Sequence, residues 1–185
     1  MKRLISICKW FLIVWGAVSL IGIIGIGGFA AYQLKFGNKD KIDSASTHDV
    51  SFVLNCCNLG DSRIEKVVHS YQSARSFTGD GLETYAIKIS HISLEELTAT
   101  NTNDSTRRWY RGDQLPKILD DAVDFTGIWL GDEKVSWFPK ETELRSNQFY
   151  VYPQSIYYVG GRPISVDLIF VKPSDKMVFY FSGKT

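Results

Sequence analysis

From Trp10 to Ala31 the chain runs 22 residues without a charged side chain, and Ser19 carries the only hydroxyl among them outside an aromatic ring. An α-helix of that length rises about 33 Å, against roughly 30 Å for the hydrocarbon core of a bilayer. A buried helix of a soluble domain is usually shorter and has a polar side, so the run predicts a transmembrane helix over residues 10–32. Trp10, Trp15 and Tyr32 add rings of the kind that settle at a membrane interface. A cleaved signal peptide is the rival reading. Lys2, Arg3 and Lys9 precede the run, and Gly28-Phe29-Ala30 offers small residues for a peptidase. The run nevertheless exceeds the roughly 7–15 residues of a signal core, which favours an uncleaved anchor in contact with membrane lipid.

Orientation rests on the flanks. Lys2, Arg3 and Lys9 lie before the span, and Lys35, Lys39 and Lys41 lie just after it. The amino terminus breaks this tie, and long domains cross largely regardless of charge. The sequence therefore predicts a short cytoplasmic tail over 1–9 and a C-terminal domain on the far side, in a bacterial periplasm if the membrane is an inner one. Residues 33–49 read as a flexible tether, being rich in Gly, Asn, Asp and Ser. The folded domain is expected over 50–185, large enough to bury a core of its own.

Composition narrows the partners. With 21 Lys and Arg against 20 Asp and Glu, the net charge is only +1, which argues against a nucleic-acid binder. Three cysteines exclude a disulfide scaffold or a four-thiolate metal site. His48, His69 and His91 lack the spacing of metal ligands, although His69 and His91 could meet across a sheet. No cofactor motif is present: G-x-x-x-x-G-K and G-x-S-x-G are both missing.

Periodicity predicts an α+β domain with a mainly antiparallel sheet and two helices. Val50–Cys57, Lys66–Tyr71 and Thr84–Ser90 read as strands, with Tyr85, Ile87 and Ile89 on one face. Ser93-Leu94-Glu95-Glu96 is a capping box opening a short helix. Asp113 is the expected cap of a second helix, whose apolar stripe is Leu115, Ile118, Leu119 and Ala122. A closing meander follows, with Gly160-Gly161 as a hairpin turn, a further turn at Pro173–Lys176, and a strand before Pro153. Helices on one face would leave the other sheet face open to water or a partner.

Several side chains qualify as binding residues. The stretch His69–Gly81 gathers hydroxyls, an imidazole, a guanidinium and a carboxylate, and Arg75, Ser76, Thr78 and Asp80 are its polar tip. A loop held on a rigid sheet commonly carries recognition, but such hydroxyls also satisfy their own backbone. Tyr150, Tyr152 and Tyr158 are the expected aromatic contacts. Asp120, Asp121 and Asp124 form an acidic helix face, with Arg107, Arg108 and Arg111 as its expected internal counterpart. Cys56 and Cys57 are expected to behave as small buried hydrophobes, and Asn103-Asp104-Ser105 is a glycosylation sequon of low specificity. No catalytic constellation emerges. The expectation is a non-enzymatic, membrane-anchored protein that binds a protein partner, with an immunity protein that blocks a toxin as one form. A subunit or assembly factor of an envelope complex is an alternative, and so is a hydrolase using His69–Asp80.

Overall fold

The computed structural model describes residues 2–32, 38–76, 78–98, 108–131 and 133–185, with backbone alone for 2–9. The chain falls into two units, Met1–Lys39 and Asp40–Thr185. In the first, helix α1 spans Lys2–Tyr32. Its segment Trp10–Tyr32, 23 residues of mean hydropathy 2.2, is long and apolar enough to cross a membrane. Trp10, Leu12, Val18, Ile24 and Phe29 are exposed around its circumference, so the helix is apolar on every side.

The second unit is α+β. A seven-stranded, wholly antiparallel sheet has the order β1-β2-β3-β7-β6-β5-β4. The strands are β1 Lys41–Ile42, β2 Ile64–Gln72, β3 Gly81–Ile89, β4 Tyr110–Arg111, β5 Tyr150–Val159, β6 Arg162–Lys172 and β7 Met177–Lys184. Gly160 and Gly161 take φ of 60° and 80°, the left-handed pair that a two-residue hairpin demands. Pro153 does not end its strand as the sequence suggested. Residue β5 partners in β4 stop at Val151, so Pro153 withholds no ladder hydrogen bond there, and a register shift follows at Ser155.

Helices cover both faces. On the first face, α4 (Lys117–Trp129) and α5 (Glu141–Leu144) pack over Leu82, Val166, Leu168, Phe170, Phe179 and Phe181. On the second face, α2 (Ser51–Cys56) and α3 (Leu94–Thr98) pack with Leu59 over Ile87, Ile89, Ile169, Val171 and Val178. The expected strand at Val50–Cys57 is therefore a helix. A short apolar run fits either conformation, and here Val53, Leu54 and Cys57 gain burial by lying across the sheet.

Smaller differences follow the same logic. The capping box forms as expected: Ser93 N–H donates to Glu96 at 3.0 Å, and Glu96 N–H donates to Ser93 Oγ at 3.2 Å. Asp113 does not cap α4; Pro116 holds that position, and Asp113 accepts from Arg111 Nε at 2.5 Å. The buried stripe of α4 is Leu119, Ala122, Val123, Phe125 and Thr126, leaving Ile118 exposed. The tether is also shorter than expected. Asp40 accepts from Ala74 N–H at 2.8 Å and from Tyr71 Oη at 3.2 Å, and Asp43 exchanges two bonds with Ser70. Ala45 N–H also donates to Ser70 Oγ at 3.1 Å, so residues 40–45 belong to the sheet edge.

Candidate binding face

The second sheet face is covered over only half its length, because α2 and α3 are short. Register makes the consequence explicit. Ile87, Val178, Val171 and Tyr150 lie in one row across four strands, and Tyr85, Tyr180, Ile169 and Tyr152 lie in the next. One pleat further on, Gln72, Glu83, Ser182, Asp167 and Ser155 form a polar row across five strands. Gly81, Lys184, Ser165 and Tyr157 follow. Residues directly opposite share a face, so each row presents its side chains together. Ile87, Val178 and Val171 are core, whereas each residue of the polar row is partly exposed.

Two depressions sharing Gln72 and Glu83 indent this half-face. One, of about 320 Å³, is lined by Lys41, Asp49, Tyr85 and their neighbours; the other, of about 250 Å³, reaches Arg75, Asp167, Ser182 and Lys184. Glu83 and Asp167 flank Ser182 with one strand between them, placing their backbones about 10 Å apart. Tyr85 Oη donates to Glu83, and Ser155 Oγ donates to Asp167. Burial first, then the bond to Glu83, pushes the Tyr85 hydroxyl far above the ordinary phenol range. Burial and the Asp167 charge do the same for Tyr180. Both rings therefore remain neutral beneath two carboxylates, an arrangement suited to holding cationic or N–H groups by charge-assisted hydrogen bonds.

The expected loop lies at the rim of this face. Arg75 is exposed and lines the second depression with Gly79. Ser76, Thr78 and Asp80 are occupied with one another: Asp80 N–H donates to Ser76 Oγ at 2.9 Å, and Thr78 Oγ1 donates to Asp80 at 2.5 Å. Ser73 Oγ accepts Leu82 N–H at 2.8 Å. These hydroxyls hold the loop in shape. His69 stacks on Trp137 with ring centroids 5.2 Å apart, and His91 bonds to Ser90 beyond the end of β3, so the two imidazoles do not meet.

Of the three tyrosines, none joins the polar row. Tyr152 is 5% exposed and packs on Trp109, which corrects its expected role as a contact. Tyr150 lines a separate depression with Trp109, Arg108 and Arg111. Tyr158 points to the first face and donates to Ile118 O at 2.8 Å. The exposed ring on the open half-face is Tyr157, which sequence reading passed over, as it did Glu83, Asp167 and Ser182.

The acidic helix face is also resolved differently. Arg145, not the earlier arginines, is its counterpart: Nε reaches Asp120 at 2.7 Å, and the remaining nitrogens bond Asp124 and Glu141. Arg111 pairs with Asp113, Arg108 lies over the Tyr110 ring, and Arg107 and the Asn103 sequon fall outside the described residues. No family model, no curated protein and no solved structure matches the chain.

Proposed function

We propose that this chain is a membrane-anchored binding protein whose domain takes a protein partner on the open half of its second sheet face. In this reading α1 is a single-pass anchor in a bacterial inner membrane, and the domain stands in the periplasm. The observation that carries the reading is the polar row from Gln72 to Ser155, an ordered set of donors and acceptors on a rigid sheet, beside an exposed tyrosine. Aromatic anchors and charged groups held in place are what protein interfaces concentrate. Glu83 and Asp167 favour a partner that presents basic or N–H groups between them. Blocking a toxin, or joining an envelope complex, are two uses of such a face. The engaged hydroxyls of the Ser73–Asp80 loop support binding over hydrolysis at that loop.

A photo-crosslinking residue in place of Ser182, in the native membrane, should give one discrete adduct with a protein. Glu83→Lys and Asp167→Lys should each abolish that adduct while leaving the domain folded. An adduct indifferent to both charge reversals would overturn the site. Alkaline phosphatase fused after Thr185 should be active in a bacterial host; an inactive fusion would reverse the proposed side of the membrane.

A further inference from the structure

Among the described residues, β4 pairs with β5 only at Tyr150 and Val151, and no strand pairs with the outer side of β5 beyond them. Two backbone bonds show which groups that edge presents. Thr185 N–H donates to the Ile164 carbonyl at 2.9 Å, and Ser73 N–H donates to the Leu82 carbonyl at 2.8 Å. In an antiparallel sheet successive residues turn their backbone groups to opposite neighbours. Followed along the register from either bond, Ser165 faces β5 and meets Tyr157. Ile156 and Tyr158 therefore turn their N–H and C=O groups away from β6. The strand itself is regular here, because the register shift between Tyr157 and Tyr158 places the extra residue, Ile164, on β6.

The two edges of the sheet are unlike. Beyond β1, the outer side of β2 carries the exposed charges Glu65 and Lys66, and its register shifts put the extra residues Glu65 and Val68 on the edge strand. Charges and bulges of that kind obstruct pairing between edges. Between Ser155 and Val159 β5 has neither, and no charged residue lies between Phe149 and Gly161. Its side chains add apolar surface. Tyr157 and Val159 are 63% and 64% exposed on one face, and on the other the exposed Ile118 is fixed beside Tyr158 by the hydroxyl bond.

We infer that β5 pairs antiparallel with β5 of a second copy, about a two-fold axis between the two Tyr157 residues, joining the two sheets into one. The register follows from the backbone. Ile156 of each chain meets Tyr158 of the other, where both present N–H and C=O groups, and Tyr157 meets its own counterpart in the non-bonded position between them. Ser155 then lies opposite Val159. A two-fold interface must be self-complementary, and this one is: the exposed rings cover each other and no like charges are opposed. Arg162 and Val159 fall in one row with Ser155 and Asp167 of the second copy, so opposite charges flank the seam. The polar rows of both copies stay open on one continuous face, whatever they bind. A seam from Ser155 to Val159 buries less than a stable soluble dimer needs. Pairing therefore gains from confinement of both copies to one bilayer, and to that extent it rests on the reading of α1 as an anchor.

The test uses the full chain in its membrane, with Cys8 and Cys56 replaced by serine and single cysteines added. A non-bonded antiparallel pair holds its Cα atoms about 4.5 Å apart, within reach of a disulfide. Under mild oxidation Tyr157→Cys should give a product of twice the chain mass. Val159→Cys, at a position equally exposed, should link about tenfold more slowly, because it faces Ser155 and not itself. Ser155→Cys combined with Val159→Cys should link readily, and adding Tyr157→Lys, which opposes two charges at the axis, should abolish that product. Glu83→Lys, which disables the proposed partner face, should leave the Tyr157→Cys disulfide unchanged, so the two readings fail separately. Equal linking at 157 and 159 would mean random collision and overturns the inference. No linking at 157 in a folded chain overturns it too. An adduct of any other mass at 157 would assign the edge to a different protein and overturn the second copy.

Discussion

Arg63 grips Glu96 with both arms of its guanidinium, Nη1 to Oε2 at 3.0 Å and Nη2 to Oε1 at 2.6 Å, and so ties the start of β2 to α3. Glu96 also accepts Ser93 N–H, so one carboxylate closes both the tertiary link and the helix cap. The Arg63 bond, followed by the Ser93 bond, lowers the Glu96 pKa from 4.5 to about 2.

That shift fixes a pH dependence. A carboxyl with a lowered folded pKa binds protons more readily in the unfolded chain, so it stabilises the fold fully above its unfolded value. The contribution should disappear as pH falls from about 4.5 to about 2. Arg63→Met should lower the denaturant midpoint at neutral pH and flatten the acid limb across that window. An equal loss at every pH would assign the effect of Arg63 to packing instead.

Gly112 lies against the chain that follows α5. A Cβ there would overlap the Leu144 carbonyl oxygen and stand 2.5 Å from Ser146 O. Both acceptors are backbone, so neither can swing aside. Gly112→Ala should cost about 1–3 kcal/mol, the usual price of overpacking. Gly131→Ala, where nothing lies within 4 Å of the added methyl, should leave the melting temperature nearly unchanged. Similar losses in both variants would overturn the steric account of Gly112.

Local chemistry made the strands β2, β3, β6 and β7 legible, because alternation and turn residues act within a few positions. The capping box at Ser93 was legible for the same reason. Helix α2 was not, since Val50–Cys57 is equally apolar in either conformation and only the sheet beneath it decides. The polar row was hidden by register. Glu83, Asp167 and Ser182 come together only when β3, β7 and β6 align, although each left a trace. Glu83 sits two places before Tyr85 and four before Ile87, Asp167 two before Ile169, and Ser182 two after Tyr180, each a polar residue on an otherwise apolar face. Arg145 was overlooked because its three carboxylates lie 4 to 25 residues away in sequence.

The adjacent cysteines should differ sharply in reactivity. At the end of a helix rather than on a strand they part by about 100°: Cys56 is exposed, and Cys57, the C-cap, is buried. Burial pushes the Cys57 thiol up to about 12, leaving almost no thiolate near neutral pH. Iodoacetamide should therefore alkylate Cys56 in the folded chain and reach Cys57 only on unfolding. Peptide mapping by mass spectrometry distinguishes them. Equal modification under native conditions would mean that α2 lifts from the sheet.

The junction at Asp40 gives a prediction about where the domain begins. Asp40 accepts Ala74 N–H and the Tyr71 hydroxyl, and it pairs with Lys134 at 2.5 Å. Asp43 and Ala45 bond Ser70 at the edge of β2. A chain beginning at Ser46 loses all of these together with β1, and it exposes the end of β2 as an unpaired edge. Six hydrogen bonds at about 1 kcal/mol each net, offset in part by the entropy of ordering residues 40–45, should leave it about 2–4 kcal/mol less stable than a chain beginning at Asn38. Urea unfolding of the two fragments, followed by near-ultraviolet circular dichroism, measures the difference. The Asp40→Asn variant of the longer fragment should lose only part of it, because the amide oxygen still accepts Ala74 N–H, while Lys134 loses its charge partner and Tyr71 its acceptor oxygen. Identical midpoints for the Asn38 and Ser46 fragments would return residues 40–45 to the tether.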